Sequence, residues 1–233
     1  MLTLLQTRLK ETPHLIVIDN LETLLDVESL LPTLQKLANP TKFVLTSRAR
    51  VYAELNLFHV QMQELPEPAA LQLVRQEAEL SNLPVLATSP DTELRAIVDV
   101  VGGNPLALRL VVGQTHIHPL KTILDDLRRA HGDTAEQLYT FIYRRAWESL
   151  DEFSRRVLLI MPLASSQGAA LAYLAEVGDI AADEIHHALN KLVTLNLVDV
   201  RGGLHDRRYS IHSLTRTFLQ EQVAKWKNRT HGQ

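Results

Sequence analysis

Apolar positions in the first part of the chain switch between two periods. Leu2, Leu5 and Leu9 recur at helical spacing and predict a short helix that Pro13 ends. Leu15-Ile16-Val17-Ile18 is a continuous apolar run followed at once by Asp19-Asn20, which predicts a strand buried on both faces of a parallel sheet. Residues 23–38 return to helical spacing, with Leu24, Leu30, Leu31, Leu34 and Leu37 on one stripe and Asn39-Pro40 as the terminator. Lys42 to Arg48 reads as a second strand that finishes in polar residues. The alternation of Phe58-His59-Val60-Gln61-Met62 predicts a third extended stretch. Strand, helix, strand is the order of a parallel α/β layer.

From Pro68 to about Arg129 the pattern turns almost purely helical. Leu71, Val74 and Ala78 form one stripe, and Leu94, Ile97, Val98 and Val101 form the next, with Ser89-Pro90-Asp91 as its start. Gly102-Gly103-Asn104-Pro105 ends that stripe, and a further helix begins at Leu106. One more helix spans Thr122 to Ala130, before the linker candidate His131-Gly132-Asp133. The last segment reads as one long helical stretch carrying Ile142, Trp147, Leu150, Val157, Leu158 and Met161, then a turn at Ser165–Gly168. Two more helices follow on Leu171 and Leu174 and on Ile185, Leu189, Leu192 and Leu195. Val198 and Val200, Arg201-Gly202-Gly203 and Tyr209 to Ile211 describe a hairpin. Three helices and a small β-wing are the pattern of a winged-helix domain. The fold class expected is therefore multi-domain and mainly α with a small parallel α/β portion, divided into residues 1–66, 67–135 and 136–228.

Composition narrows the function. A 233-residue chain that is 45% apolar and 22% charged can bury a core along its whole length. The absence of cysteine removes disulfides, thiol nucleophiles and Cys-ligated metals. No apolar run is long enough to span a bilayer, and the first ten residues do not read as a secretory signal, so a cytoplasmic protein without membrane partners is expected. The net charge of −3 divides into an acidic surplus over residues 1–140 and a slight basic surplus beyond, with no signal for a nucleic-acid backbone.

Three places could carry chemistry. Asp19 ends an apolar strand, and a carboxylate at that end of a parallel sheet can hold a Mg²⁺-bound water near a phosphate, or merely cap the next turn. Arg48 ends the neighbouring strand and is expected beside it, on a phosphate or a carboxylate. Gly102–Leu108 is a tight corner whose proline fixes a helix start, and Ile211-His212-Ser213-Leu214 follows the hairpin at another helix N-terminus.

In this order the pieces resemble NB-ARC-type STAND signalling ATPases. Leu15–Asn20 looks like their Walker B strand, Phe43–Arg48 like the sensor-1 strand, Gly102–Leu108 like the GxP motif and Tyr209–Thr217 like the winged-helix His motif. Tyr143–Leu150 is similar to the bacterial members. The resemblance spans about residues 1–225. It implies a partial P-loop NTPase sheet, a helical domain and a winged-helix domain, with ADP or ATP and Mg²⁺ as cofactors. It also implies that Asp19 organises Mg²⁺ through water and Arg48 senses the γ-phosphate. Pro105, with Leu106, lines the adenine pocket, and His212 reaches the β-phosphate of ADP. Nucleotide exchange would then release the winged helix and let the intact switch assemble with other protein chains.

The chain departs from that pattern where no Gly-x-x-x-x-Gly-Lys-Ser/Thr occurs. It reads as the carboxyl-terminal, regulatory part of a switch module, with neither tight nucleotide binding nor hydrolysis expected of it alone. Asn20 stands where a second acid is common, with Glu22 the nearest carboxylate, and Ser213 stands where relatives carry Asp. The rival readings are a nucleotide-independent interaction module and a DNA-binding transcription regulator. The recognition helix of the latter, about Ala181–Asn196, is not basic, and Arg207-Arg208 is a small footprint. His116-x-His118 and His186-His187 lack the spacing of a metal site. A missing first strand leaves sheet edges and an apolar face uncovered. Size-exclusion chromatography of the chain is therefore expected to show association, and a monomer independent of concentration contradicts that expectation.

Overall fold

The computed structural model of the protein describes residues 2–19, 21, 27–47, 57–129, 135–165, 167–203, 206–212 and 214–220. Asn20, Glu22, Arg48, Ser213 and residues 131–133, singled out in the sequence, lie outside them. The described chain is mainly helical, with one small parallel sheet and one small antiparallel sheet. Its contacts divide it into two compact units, Met1–Gln61 and Met62–Gln233. No single helix among the described residues is long and apolar enough to cross a membrane.

The first unit holds α1 (Leu2–Glu11), β1 (Leu15–Ile18), α2 (Val27–Leu37) and β2 (Lys42–Leu45). β1 and β2 pair in parallel, from Leu15 opposite Lys42 to Ile18 opposite Leu45. Leu9, Leu31, Leu34 and Leu37 supply the buried side chains, at the helical spacing that the sequence shows. Thr41 is buried among them because its hydroxyl donates to Leu9 O at 2.7 Å and accepts from His14 N at 3.2 Å, tying the end of α1 to the start of β2.

Two expectations fail in this unit. β1 is not buried on both faces: Ile16 and Ile18 are half-buried, while Leu15 and Val17 are 69% and 61% exposed. A run of four apolar residues does not say how many faces are covered, and here one face of the sheet, with Val44, stays open. The expected third strand is also absent, since residues 57–66 adopt neither helix nor strand and Phe58 is 95% exposed. Alternation makes a strand only where a neighbour accepts its ladder, and the described sheet holds only β1 and β2.

The second unit begins with α3 (Glu67–Leu80), α4 (Pro84–Ala87), α5 (Asp91–Val101), α6 (Pro105–Gln114) and α7 (Leu120–Arg129). It continues with α8 (Ala135–Glu148), α9 (Glu152–Ile160), β3 (Ala169–Ala170), α10 (Leu171–Gly178), α11 (Ala182–Thr194), β4 (Asp199–Arg201) and β5 (Arg208–Ser210), and residues 214–220 close it as a helix. One hydrophobic core runs through the unit from Ala70 to Leu219. β5 is the middle strand of the antiparallel sheet, with β3 on one side and β4 on the other. The hairpin of β4 and β5 was expected, but the two-residue β3 was not.

The long helical stretch expected before the turn at 165–168 is two helices. Asp151 breaks it by capping α9, its Oδ1 accepting from Ser154 N at 2.7 Å. The same carboxylate receives Lys191 Nζ at 2.6 Å, so the start of α9 is tied to α11. The Lys191 ammonium, and then the Ser154 N–H, hold the Asp151 carboxyl well below the usual carboxylate range.

Asp151→Ala is expected to cost about 1 kcal/mol through the lost cap, which lowers the melting temperature by about 2–4 °C in a chain of this size. The folded-state pKa is depressed, so this stabilisation is present above the unfolded Asp value of about 3.9 and fades as pH falls below it. Thermal melts of both proteins should therefore converge between about pH 5 and pH 2. A gap of constant size across that window contradicts the assignment.

Candidate functional site

In the first unit the parallel register determines what faces Asp19. Ile18 pairs with Leu45, so the residue beyond each strand end is Asp19 on one side and Thr46 on the other. The Thr46 hydroxyl donates to Asp19 Oδ1, and Thr46 N donates to Ile18 O at 3.1 Å. Leu21 N then donates to Thr46 O at 3.0 Å, which closes the turn after Asp19 over the strand ends. Both side chains are exposed. A carboxylate and a hydroxyl at the carboxyl ends of parallel strands form an oxygen donor set that suits a hydrated Mg²⁺. Sequence reading placed Arg48 there. Arg48 lies outside the described residues; among those described, β2 ends at Leu45 and Thr46 is hydrogen-bonded to Asp19.

In the second unit the corner between α5 and α6 is built by close backbone approach. Gly102 has φ +69°, a conformation that favours glycine, and a Cβ on it would lie 2.6 Å from Glu64 Oε2. A Cβ on Gly103 would lie 2.0 Å from Leu65 O. Two hydrogen bonds hold that approach, Leu65 N to Gly103 O at 2.9 Å and Gly103 N to Glu64 Oε2 at 3.0 Å. Asn104 caps α6 by accepting from Leu106 N at 3.0 Å and Ala107 N at 3.4 Å. Pro105 therefore sits at the first helical position, where its missing N–H is no loss, and its ring is exposed while Leu106 is buried.

Tyr139 of α8 reaches this corner. Its hydroxyl lies beside Asn104 and the Glu64 carboxylate, and burial pushes its pKa up to about 12, so it carries its proton. The oxygen is out of solvent and makes no hydrogen bond of good geometry among the described residues. Burial and the neighbouring Asn104 and Glu64 make the Tyr139 hydroxyl part of the packing behind the corner.

His212 lies two residues beyond β5 and is exposed. Leu214 N donates to its Nδ1 at 3.2 Å, so the ring caps helix 214–220 and its neutral form carries the proton on Nε2. That helix is anchored to α8, where the Tyr143 hydroxyl meets Thr215 Oγ1 at 2.8 Å and its ring stacks on Phe218 at 5.0 Å between centroids. Asp19 and Thr46 thus belong to the first unit, and Pro105, Leu106, Tyr139 and His212 to the second.

Two of the histidines that lack metal-site spacing in the sequence line a common cleft. His116 and His187 line one open cleft of about 330 Å³, together with Ile117, Asn190, Lys191 and Thr194. Partial burial lowers the His116 pKa, and Lys191 pairs with Asp151. No group of three metal-ligating side chains converges among the described residues.

No protein-family model matches the chain, and no curated protein is similar to it in sequence.

Gly103→Ala is expected to destabilise the chain by about 1–3 kcal/mol, because the added methyl has no space against the Leu65 carbonyl. Urea unfolding reads this as a lower midpoint at unchanged slope. A midpoint equal to that of the parent contradicts the close approach.

Proposed function

We propose that the chain is the regulatory half of an ATP/ADP-dependent signalling switch of the NB-ARC-type STAND class. In this reading the winged-helix portion, residues 136–228, reads out nucleotide state and hydrolysis is not performed by this chain alone. The observation that carries the reading is the corner at Gly102–Leu106, which holds Pro105 exposed at the first position of α6. A purine offers a flat apolar ring that suits an exposed proline. Winged-helix topology for α9 to β5 is supported by the order α9, β3, α10, α11, β4, β5 and by a sheet with β5 in the middle.

The roles follow from the chemistry of each group. Asp19 and Thr46 would hold a hydrated Mg²⁺ at the strand ends. Pro105 and Leu106 would bound the adenine. His212, with its proton on Nε2, would donate to a phosphate oxygen. ADP or ATP supplies the charge difference that such a switch responds to, and differential contact with the two states is what shifts its population. A DNA-binding role gains nothing from α11, whose first turn carries Asp183 and Glu184 and whose Lys191 is paired with Asp151. Assembly with other protein chains remains the outcome proposed for the intact switch.

With no glycine-rich phosphate loop in the sequence, the contacts named here should give a dissociation constant in the millimolar range, about −4 kcal/mol. NMR titration of the chain with ADP–Mg²⁺ is expected to move the amides of Leu106, Ala107 and Leu214 in a saturable way. Pro105→Ala and His212→Ala should each weaken the response severalfold. Shifts absent from those amides, or unaffected by both substitutions, would leave a nucleotide-independent interaction module.

A further inference from the structure

On α6 every residue is buried except two. Pro105 is exposed and Arg109, one turn further on, is half-buried, so they share one helix face. The Arg109 guanidinium bridges two carboxylates from different parts of the unit. Its Nη2 donates to Asp199 of β4 at 3.0 Å, while its Nε lies 3.1 Å from the Glu77 carboxylate of α3 as an ion pair without an aligned hydrogen bond. The carboxylates are 14% and 28% exposed, so neither ion pair is a fully solvated surface contact. Two backbone contacts sit beside the pair. Asn196, in the left-handed region at φ 56°, donates from Nδ2 to Arg109 O at 2.8 Å. Gly113 lies so close to the turn after α11 that a Cβ would be 2.4 Å from Leu195 O.

The strand held by Arg109 leads to His212. Asp199 is the ladder partner of Ser210, and His212 is two residues beyond Ser210. We infer that Arg109 is a positioning residue that fixes the β4–β5 hairpin, and with it His212, relative to Pro105 on α6. The inference of a shared ligand between Pro105 and His212 rests on the function proposed above, whereas the clamp itself does not.

Arginine suits the task because its planar fork meets two carboxylates at once, which a lysine ammonium on a flexible stem does not do with fixed geometry. Partly buried ion pairs of this kind add little net stability compared with apolar packing, and their effect is on which arrangement is adopted. Removing the guanidinium leaves Glu77 and Asp199 as uncompensated charges and turns attraction between α3, α6 and β4 into repulsion. The core still binds the two parts, so the expected result is local release of the hairpin and not unfolding.

Amide hydrogen exchange on the full chain, read by mass spectrometry, tests the clamp without any ligand. In Arg109→Met and in Asp199→Asn, exchange across β4, β5 and residues 211–219 is expected to rise about tenfold or more, while α5 and α9 keep their parental protection. Glu77→Gln, which leaves the contact with β4 in place, should move the same peptides several times less. Hairpin protection that is unchanged in both Arg109→Met and Asp199→Asn, or lost equally in α5 and α9, overturns the inference. An ADP–Mg²⁺ titration separates the two claims: in Arg109→Met the Leu106 amide should still respond while the Leu214 response is lost. A parent chain that ignores ADP–Mg²⁺ at every amide sinks the nucleotide reading, and the exchange data then decide the clamp by themselves.

Discussion

The second unit depends on how closely backbone is allowed to approach α6. Gly103 at its entry touches the Leu65 carbonyl, and Gly113 near its end touches the Leu195 carbonyl. With side chains at those two points, α6 could not sit in the middle of the unit. Because it does, Leu106, Ala107, Leu108 and Leu110 to Gln114 are all buried, and α6 packs against α3, α5 and α8. A helix apolar all round is a core element, not an amphipathic surface one. Gln114 shows the cost of that position: its Nε2 donates to Ile142 O at 3.3 Å, while its Oε1 has no partner among the described residues.

The same constraint organises the candidate site. A central helix that cannot shift is a reference frame, and the groups that matter are arranged around its start. Asn104 fixes where the helix begins, Glu64 fixes the corner ahead of it, and Arg109 carries its position out to the hairpin. Helix 214–220 is held to α8 through Tyr143, whose hydroxyl pKa is raised by burial and which therefore remains a neutral partner for Thr215. Preorganisation of this kind lets small side chains present fixed geometry to a ligand.

Local signals were legible in the sequence where they were complete within a few residues. β1 and β2 announced themselves as apolar runs, Pro105 as a first-turn proline, and the β4–β5 hairpin through its glycines. Strand β3 was not readable, because two residues carry no period. The break between α8 and α9 was visible in principle, since Asp151 stands three residues before Ser154 at the start of an apolar stripe, but the stripe continues across it. The misreading of residues 58–62 has the opposite cause: an alternation is present and no described strand pairs with it. In the candidate site, Asp19, Pro105 and His212 could be named because each follows or begins an element. Glu64 and Asp199 could not, since the hydrogen bonds that involve them span 39 and 90 residues. Thr46 could not be named, because the register of β1 against β2 decides what meets Asp19.

The account stands on α6 as the fixed centre of residues 62–220, and native-state hydrogen exchange of the parent chain tests this most directly. Amides from Leu108 to Val112 should exchange last, only through global unfolding, with an opening free energy equal to that from denaturant melts. Exchange at those amides that is faster than in α9 or in the β4–β5 hairpin would contradict it.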